Sequence, residues 1–199
     1  MRQILAAGLL TVAVMLGAAQ QRAAGETLET AVFAGGCFWC MEEAFEKVDG
    51  VKEVVSGYTG GHTENPTYKD IGWGNTGHYE AIEVKYDPAT VGYGKLLDVF
   101  WHNVDPTDRG GQFCDRGMQY RTGIFAVNDA QKALAEKTKE EAGRTLGKTI
   151  YTEVLPLKKF WPAEDYHQDY YKTNAGRYTY YKWACGRAQR LEQLWGPKS

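Results

Sequence analysis

The amino-acid sequence predicts an α+β fold: a two-layer sandwich of a mixed sheet with helices, built on a ferredoxin-like core. Three observations carry this. The first six elements legible in the hydrophobic pattern run strand, helix, strand, strand, helix, strand. A length of 199 residues suits one domain around a single sizeable core. The composition is ordinarily globular, and its 13% of aromatic residues fits a pocketed enzyme or binding protein better than a disordered tail.

The elements follow in order. An apolar strand is expected over 30–34, running into Gly35-Gly36. A helix follows over 37–48, because Phe38, Met41, Phe45 and Val48 recur on one face. A second strand covers 51–58. Residues 60–77, rich in Gly, Asn, Thr and Pro, read as a long loop, which in a compact domain is functional or ordered by its own contacts. Residues 80–86 alternate, with Ile82, Val84 and Tyr86 on one face, and stop at the Asp87-Pro88 turn. A helix is expected over 93–103, a second loop over 105–117 and a strand over 120–127. Asn128 caps a polar helix to about 146, and a strand covers 150–157. Pro162 suits the first turn of a helix reaching about 172, and 187–195 forms a last short helix.

The N-terminus carries an export signal. Met1-Arg2 is a short positive start, residues 4–16 are almost wholly apolar, and Gly17-Ala18-Ala19 offers small residues at a cleavage site. The apolar run falls short of the ~20 residues that span a membrane. The chain therefore reads as a signal peptide over 1–19, a mobile leader over 20–28 and a single catalytic domain over 29–199, with an uncleaved anchor as the alternative. Either places the folded part outside the cytosol, and the expected location is the periplasm. A net charge of −2 argues against nucleic acid or an anionic membrane surface as partner.

Four cysteines (Cys37, Cys40, Cys114 and Cys185) are too few for a disulfide scaffold at this length, so redox chemistry is the reading. Cys37 follows two glycines and opens a helix, where backbone N–H groups and the macrodipole favour the thiolate. Phe38 and Trp39 stand beside it, an apolar wall that suits an apolar substrate group rather than a metal. Glu80 enters its strand on the same face as Ile82 and Val84; a carboxyl at the rim of an apolar face gains a raised pKa and a proton to give, and an ordinary strand-end carboxylate in water is the equal alternative on these residues alone. Tyr68, in a loop, and Tyr120, at a strand start, are phenols able to donate to a polar oxygen, although thirteen tyrosines make packing the default for any one. Asp115, in Cys114-Asp115-Arg116-Gly117, is by default a turn residue. The four histidines make no paired spacing with carboxylates or cysteines, so no metal site is expected.

Seven fragments then stand in order: Gly36-Cys37-Phe38-Trp39, Gly57-Tyr58-Thr59-Gly60-Gly61, Asn65-Pro66-Thr67-Tyr68, Gly77-His78-Tyr79-Glu80-Ala81, Tyr86-Asp87-Pro88, Gln119-Tyr120-Arg121 and Ala163-Glu164-Asp165-Tyr166-His167-Gln168. Together, over about 29–174, they resemble peptide methionine sulfoxide reductases of the A type. The resemblance implies a thiol-dependent reduction of methionine S-sulfoxide to methionine in peptides, and leaves the free amino acid open as a further substrate. Cys37 would attack the sulfoxide sulfur and end as a sulfenic acid, and Glu80 would protonate the departing oxygen. Tyr68 and Tyr120 would hold that oxygen, Asp115 would arrange the pocket, and Phe38 and Trp39 would receive the S-methyl group. No bound cofactor is implied. Partners would be oxidised proteins or peptides and thioredoxin or a similar dithiol as electron donor, with no membrane contact beyond the N-terminal anchor alternative.

The resemblance also implies a resolving thiol in a mobile C-terminal segment, which makes Cys185 the first choice. The tail departs from the commonest family pattern, a Gly-Tyr-x-Cys turn after Asn-Pro, and reads Tyr180-Tyr181-Lys182-Trp183-Ala184-Cys185 instead. Cys40 is the runner-up, since Cys37-Phe38-Trp39-Cys40 permits a bridge, and Cys114 or direct reduction follows. The rival readings are a thioredoxin-like thiol–disulfide oxidoreductase using Cys37 and Cys40, and a non-catalytic binder of methionine side chains. The first is disfavoured because the Trp stands between the two cysteines and Glu80, Tyr68 and Tyr120 are left without a task.

Overall fold

The computed structural model describes residues 27–197. The expected signal peptide over 1–19 and most of the leader lie outside these residues. Among the described residues no helix is long and apolar enough to cross a membrane.

The chain forms β1 (Glu29–Gly35), α1 (Phe38–Glu46), β2 (Val51–Thr59), α2 (Tyr68–Gly72), β3 (Tyr79–Tyr86) and α3 (Tyr93–Trp101). A small ribbon of β4 (Gly111–Gln112) and β5 (Asp115–Arg116) precedes β6 (Thr122–Ala126), α4 (Asp129–Leu146), β7 (Glu153–Pro156) and β8 (Phe160–Pro162). Three helices close the chain: α5 (Tyr170–Thr173), α6 (Ala175–Ala184) and α7 (Arg187–Trp195). The main sheet runs β7-β6-β1-β3-β2-β8, antiparallel except for the parallel β6–β7 pair. Its four inner strands are the first four long strands in the spatial order fourth, first, third, second, with α1 and α3 as the two crossovers, which is the ferredoxin-like core.

Burial explains the layers. β1 sits in the middle of the sheet and is buried on both faces from Ala31 onward, so it reads as a continuous apolar run. On one face Phe33 stacks on Phe45 of α1 (5.0 Å between ring centroids) and on Phe100 of α3 (5.4 Å). Each such buried ring contributes about 2–3 kcal/mol of transfer free energy. The other face carries Val32, Ala34, Tyr79 and Phe125 under Leu155, Leu157 and Phe160. Asn128 caps α4 as expected, its side chain accepting from the Gln131 N–H at 2.8 Å, and Gly147 in the left-handed conformation ends it.

Two expectations need correction. Pro162 opens no helix: it is the last residue of β8, an outer strand paired with Gly57 of β2, where a missing N–H costs nothing. Tyr120 lies in a 3₁₀ turn over Met118–Tyr120, two residues before β6. The two long loops are ordered locally, the first by α2 with its Thr67–Asp70 capping box and the second by the β4–β5 ribbon. In addition, α6 is a ten-residue helix in a stretch that the pattern left unassigned.

Candidate active site

β1 and β3 stay paired only as far as Phe33 opposite Ile82. Beyond that point β1 turns through Gly35-Gly36 into α1, and Glu80, two residues earlier on β3, is left facing the start of the helix. The two glycines are sterically required. A Cβ on Gly35 would lie 2.4 Å from Met41 Sδ, and one on Gly36, which has φ +79°, would lie 2.5 Å from Gln112 Cβ. Cys37 is the N-cap residue of α1, and the next backbone N–H, that of Phe38, donates to Glu80 Oε2 at 3.2 Å. One of the donors that every helix start leaves free is thus taken by the candidate acid.

Cys37, Phe38, Trp39, Tyr68, Glu80, Asp115 and Tyr120 all line one cavity of about 90 Å³, joined by Tyr181 of α6. Glu80 is 2% exposed. Burial, reinforced by the charges of Asp115 and Cys40, pushes its carboxyl up to about 8 against the pull of the Phe38 N–H. It is therefore protonated at neutral pH. Tyr68 and Tyr120 are both raised by burial and by Glu80, Tyr68 to about 12, so each keeps its phenolic proton.

The thiols differ from expectation. Burial pushes the Cys37 thiol well up, with Cys40 and the Glu80 charge adding, and the Tyr181 hydroxyl opposing. Desolvation outweighs the helix N-terminus here. Cys40, one turn along α1, moves the other way, to about 6. A hydrogen bond with Cys37 is the main cause, and Arg187, Tyr178 and Lys182 add to it. The two shifts belong to the pair together, and the cations that favour a thiolate, Arg187 and Lys182, act on the Cys40 side. Both thiols are free, whereas Cys185 is bonded to Cys114 across 71 residues. The expected resolving cysteine is thus engaged elsewhere, and Cys40 is the thiol in contact with Cys37.

The segment Ala163–Gln168 acts as a clamp whose task the motif alone did not reveal. Glu164 accepts from Tyr58 Oη (2.8 Å) and from the Tyr68 N–H (2.9 Å), fixing α2 against β2. Gln168 bonds the Ser56 backbone N–H and C=O, both at 2.9 Å. Burial keeps His167 neutral, so its Nδ1 accepts from Trp39 Nε1 at 3.2 Å and orients the indole. Tyr170 stacks on the same indole at 3.8 Å. Tyr181, with its hydroxyl donated to Asp115 and its ring edge-on to Trp39, is the cavity residue that sequence reasoning missed. Thirteen tyrosines offered no signal to single it out.

Among the described residues, two clusters hold three metal-type donors within 4.8 Å: Cys114, Asp115 and Cys185, and Glu42, Glu46 and Asp169. The thiols of the first are spent on their bridge. The second already surrounds Lys172, 2.6 Å from both Glu46 and Asp169.

Comparison with known proteins agrees with this geometry. The family profile described as peptide methionine sulfoxide reductase matches residues 29–199. Peptide methionine sulfoxide reductase MsrA 2 of Caulobacter vibrioides is 53% identical over 183 residues, 92% of this chain and 93% of that protein. Among solved structures, reduced Mxr1 from Saccharomyces cerevisiae aligns with a TM-score of 0.71 and 34% identity, over 74% of this chain and 86% of that one. Mxr1 in complex with Trx2 aligns with a TM-score of 0.52 and 28% identity, over 72% and 84%.

Proposed function

The chain belongs to the peptide methionine sulfoxide reductase family and is a thiol-dependent reductase of methionine sulfoxide, and from that premise we propose how its own residues perform the reaction. Cys37 Sγ attacks the sulfoxide sulfur as its proton passes to the Cys40 thiolate, and Glu80 delivers a proton to the oxygen. Tyr68 and Tyr120 donate to that oxygen as charge develops on it. Collapse releases the thioether and leaves Cys37 as a sulfenic acid, with two electrons moved from the cysteine sulfur to the substrate sulfur. Cys40 then attacks Cys37, the S–S bond forms, and the hydroxyl leaves as water with the Cys40 proton.

Phe38 and Trp39 form the wall for the S-methyl group, and the handed arrangement of wall, thiol and acid selects the S epimer. Cys40 takes the resolving role ahead of Cys185 because it touches Cys37 and is the more acidic thiol. The observation that carries the proposal is the buried, protonated Glu80 in one cavity of about 90 Å³ with Cys37 and two phenols. A thioredoxin-type dithiol returns the enzyme to its reduced state, a reading supported by the similarity to Mxr1 in its complex with Trx2.

Single turnover of the reduced protein with racemic N-acetylated methionine sulfoxide tests the scheme. The expected result is loss of the S epimer alone, absence of turnover in Cys37→Ser, and a Cys37–Cys40 bridge on peptide mapping. A bridge from Cys37 to Cys185 would return the resolving role to the tail, and no thioether product would sink the scheme. We also propose export, on the pattern of residues 1–19. Mass measurement on the secreted protein should find a chain beginning at Gln20, and a cytosolic, full-length chain would refute it.

A further inference from the structure

Three consecutive residues of the β4–β5 hairpin each hold a different part of the C-terminal helices. Phe113, at φ +55°, lies under the Arg187 guanidinium, 4.5 Å from its centre. Cys114 is bonded to Cys185. Asp115 accepts from Tyr181 Oη. On the helical side these contacts bracket the bridge. Cys185 is the C-cap of α6, its N–H donates to the Tyr181 carbonyl one turn earlier, and Arg187 opens α7 two residues later.

The two flanking residues reach different members of the reactive pair. Tyr181 lines the cavity, within hydrogen-bonding reach of Cys37. Arg187, 3% exposed, donates to Met41 Sδ and to the Asn103 carbonyl, which holds its positive charge beside Cys40. Tyr178 of α6 packs directly on Cys37 and Cys40.

We propose that the Cys114–Cys185 bridge is a positioning element of the active site, a staple that keeps Tyr181 on Asp115 and Arg187 beside Cys40, and so keeps the Cys37/Cys40 pair in its reactive ionised state. This rests on the assignment of Cys37 as nucleophile given above. The groups facing the pair are Glu80 from β3, Tyr178, Tyr181 and Lys182 from α6, Arg187 from α7, and Asp115 from β5. Lys182 and Arg187 favour a thiolate by their charge, and the Tyr181 hydroxyl, donated to Asp115, draws that carboxylate's charge away from the pair. All the favourable groups lie on the two helices that the bridge fastens. With the bridge open, the packing of Tyr178 and Tyr181 on α1 remains, but the covalent tie that holds the α6–α7 junction against the β4–β5 hairpin is gone, Arg187 is free to move away from Cys40, and the balance tips against the thiolate.

The double variant Cys114→Ser/Cys185→Ser leaves Cys37 and Cys40 as the only thiols, so the ultraviolet absorbance of thiolate reports on them alone. In the bridged protein the first ionisation is expected near 6. In the double variant the midpoint rises toward the ordinary thiol value of ~8.5, and thiolate at pH 7 falls by about threefold or more. A bridge that merely stabilises the fold would leave this titration unmoved, and an unchanged curve overturns the proposal. Arg187→Lys and Arg187→Gln, made with the bridge intact, provide a check that does not depend on opening it. Lysine is expected to preserve the curve and glutamine to raise it, and identical curves for the two overturn the role given to Arg187. Because the readout is ionisation and not turnover, failure here is distinct from failure of the reductase scheme.

Discussion

The cavity has two sides that are held in different ways. The inner side, made of Cys37, Phe38 and Glu80, is fixed by backbone geometry: a central strand, two glycines that admit no side chain, and a helix start whose Phe38 N–H donates to the acid. The outer side, made of Asp115, Tyr181 and the covered face of Trp39, is fixed by side-chain contacts between distant segments and by one covalent bridge. In the proposed scheme the inner side carries the reacting atoms and the outer side sets their charge. Damage to the first therefore removes chemistry, while damage to the second changes its rate and pH dependence.

The largest effect is expected at the inner side. Cys37→Ser should abolish single-turnover reduction, a loss beyond about 10³-fold, and residual activity at that site would contradict the nucleophile assignment. Glu80→Gln should slow the step by about 10²–10⁴-fold, the usual worth of a positioned acid. Its pH signature is specific. A carboxyl raised to about 8 stays protonated through neutrality, so kcat/KM should fall as pH rises through that value, and the variant should lose this limb. An unchanged limb in Glu80→Gln would assign it to another group.

Gly36→Ala probes the same side through stability. A Cβ at φ +79° and 2.5 Å from Gln112 Cβ should cost about 2 kcal/mol or more, seen as a lower denaturant midpoint at unchanged slope. On the outer side, Tyr181→Phe keeps the ring and loses one hydrogen bond to a carboxylate. It should reduce kcat/KM about 10-fold with the fold intact, and a wild-type value would separate Asp115 from the chemistry. The smallest effect should follow His167→Gln, which retains an acceptor for the Trp39 N–H but not the imidazole's shape. KM should rise a few-fold at nearly constant kcat.

How much of this was legible in advance differs between the two sides for one reason. Periodicity and turn chemistry report on contacts close in sequence, and the inner side is made of those. The strand into Gly35-Gly36, the helix from Cys37 and the parity of Glu80 with Ile82 and Val84 can each be read within a dozen residues. The motif resemblance added Tyr68, Tyr120 and Asp115, and the structure brings all of them into the same cavity. Tyr181 could not be found this way, because its meaning depends on Asp115, sixty-six residues away. Pro162 misled for a related reason: it is compatible with a helix start and with an outer strand, and pairing with Gly57 decides between them.

The sequence by itself therefore determined the order of elements, the ferredoxin-like core, the reactive cysteine at a helix start and the acid on the neighbouring strand, since each follows from local backbone preference and side-chain alternation. Tertiary structure alone decided which cysteines pair, which charged groups surround Cys37 and Cys40, and which tyrosine closes the cavity. Those depend on burial and on charges brought together from β3, the β4–β5 hairpin, α6 and α7. Electrostatic energies in a low-dielectric interior are set by distances between residues remote in sequence, and no local pattern encodes them.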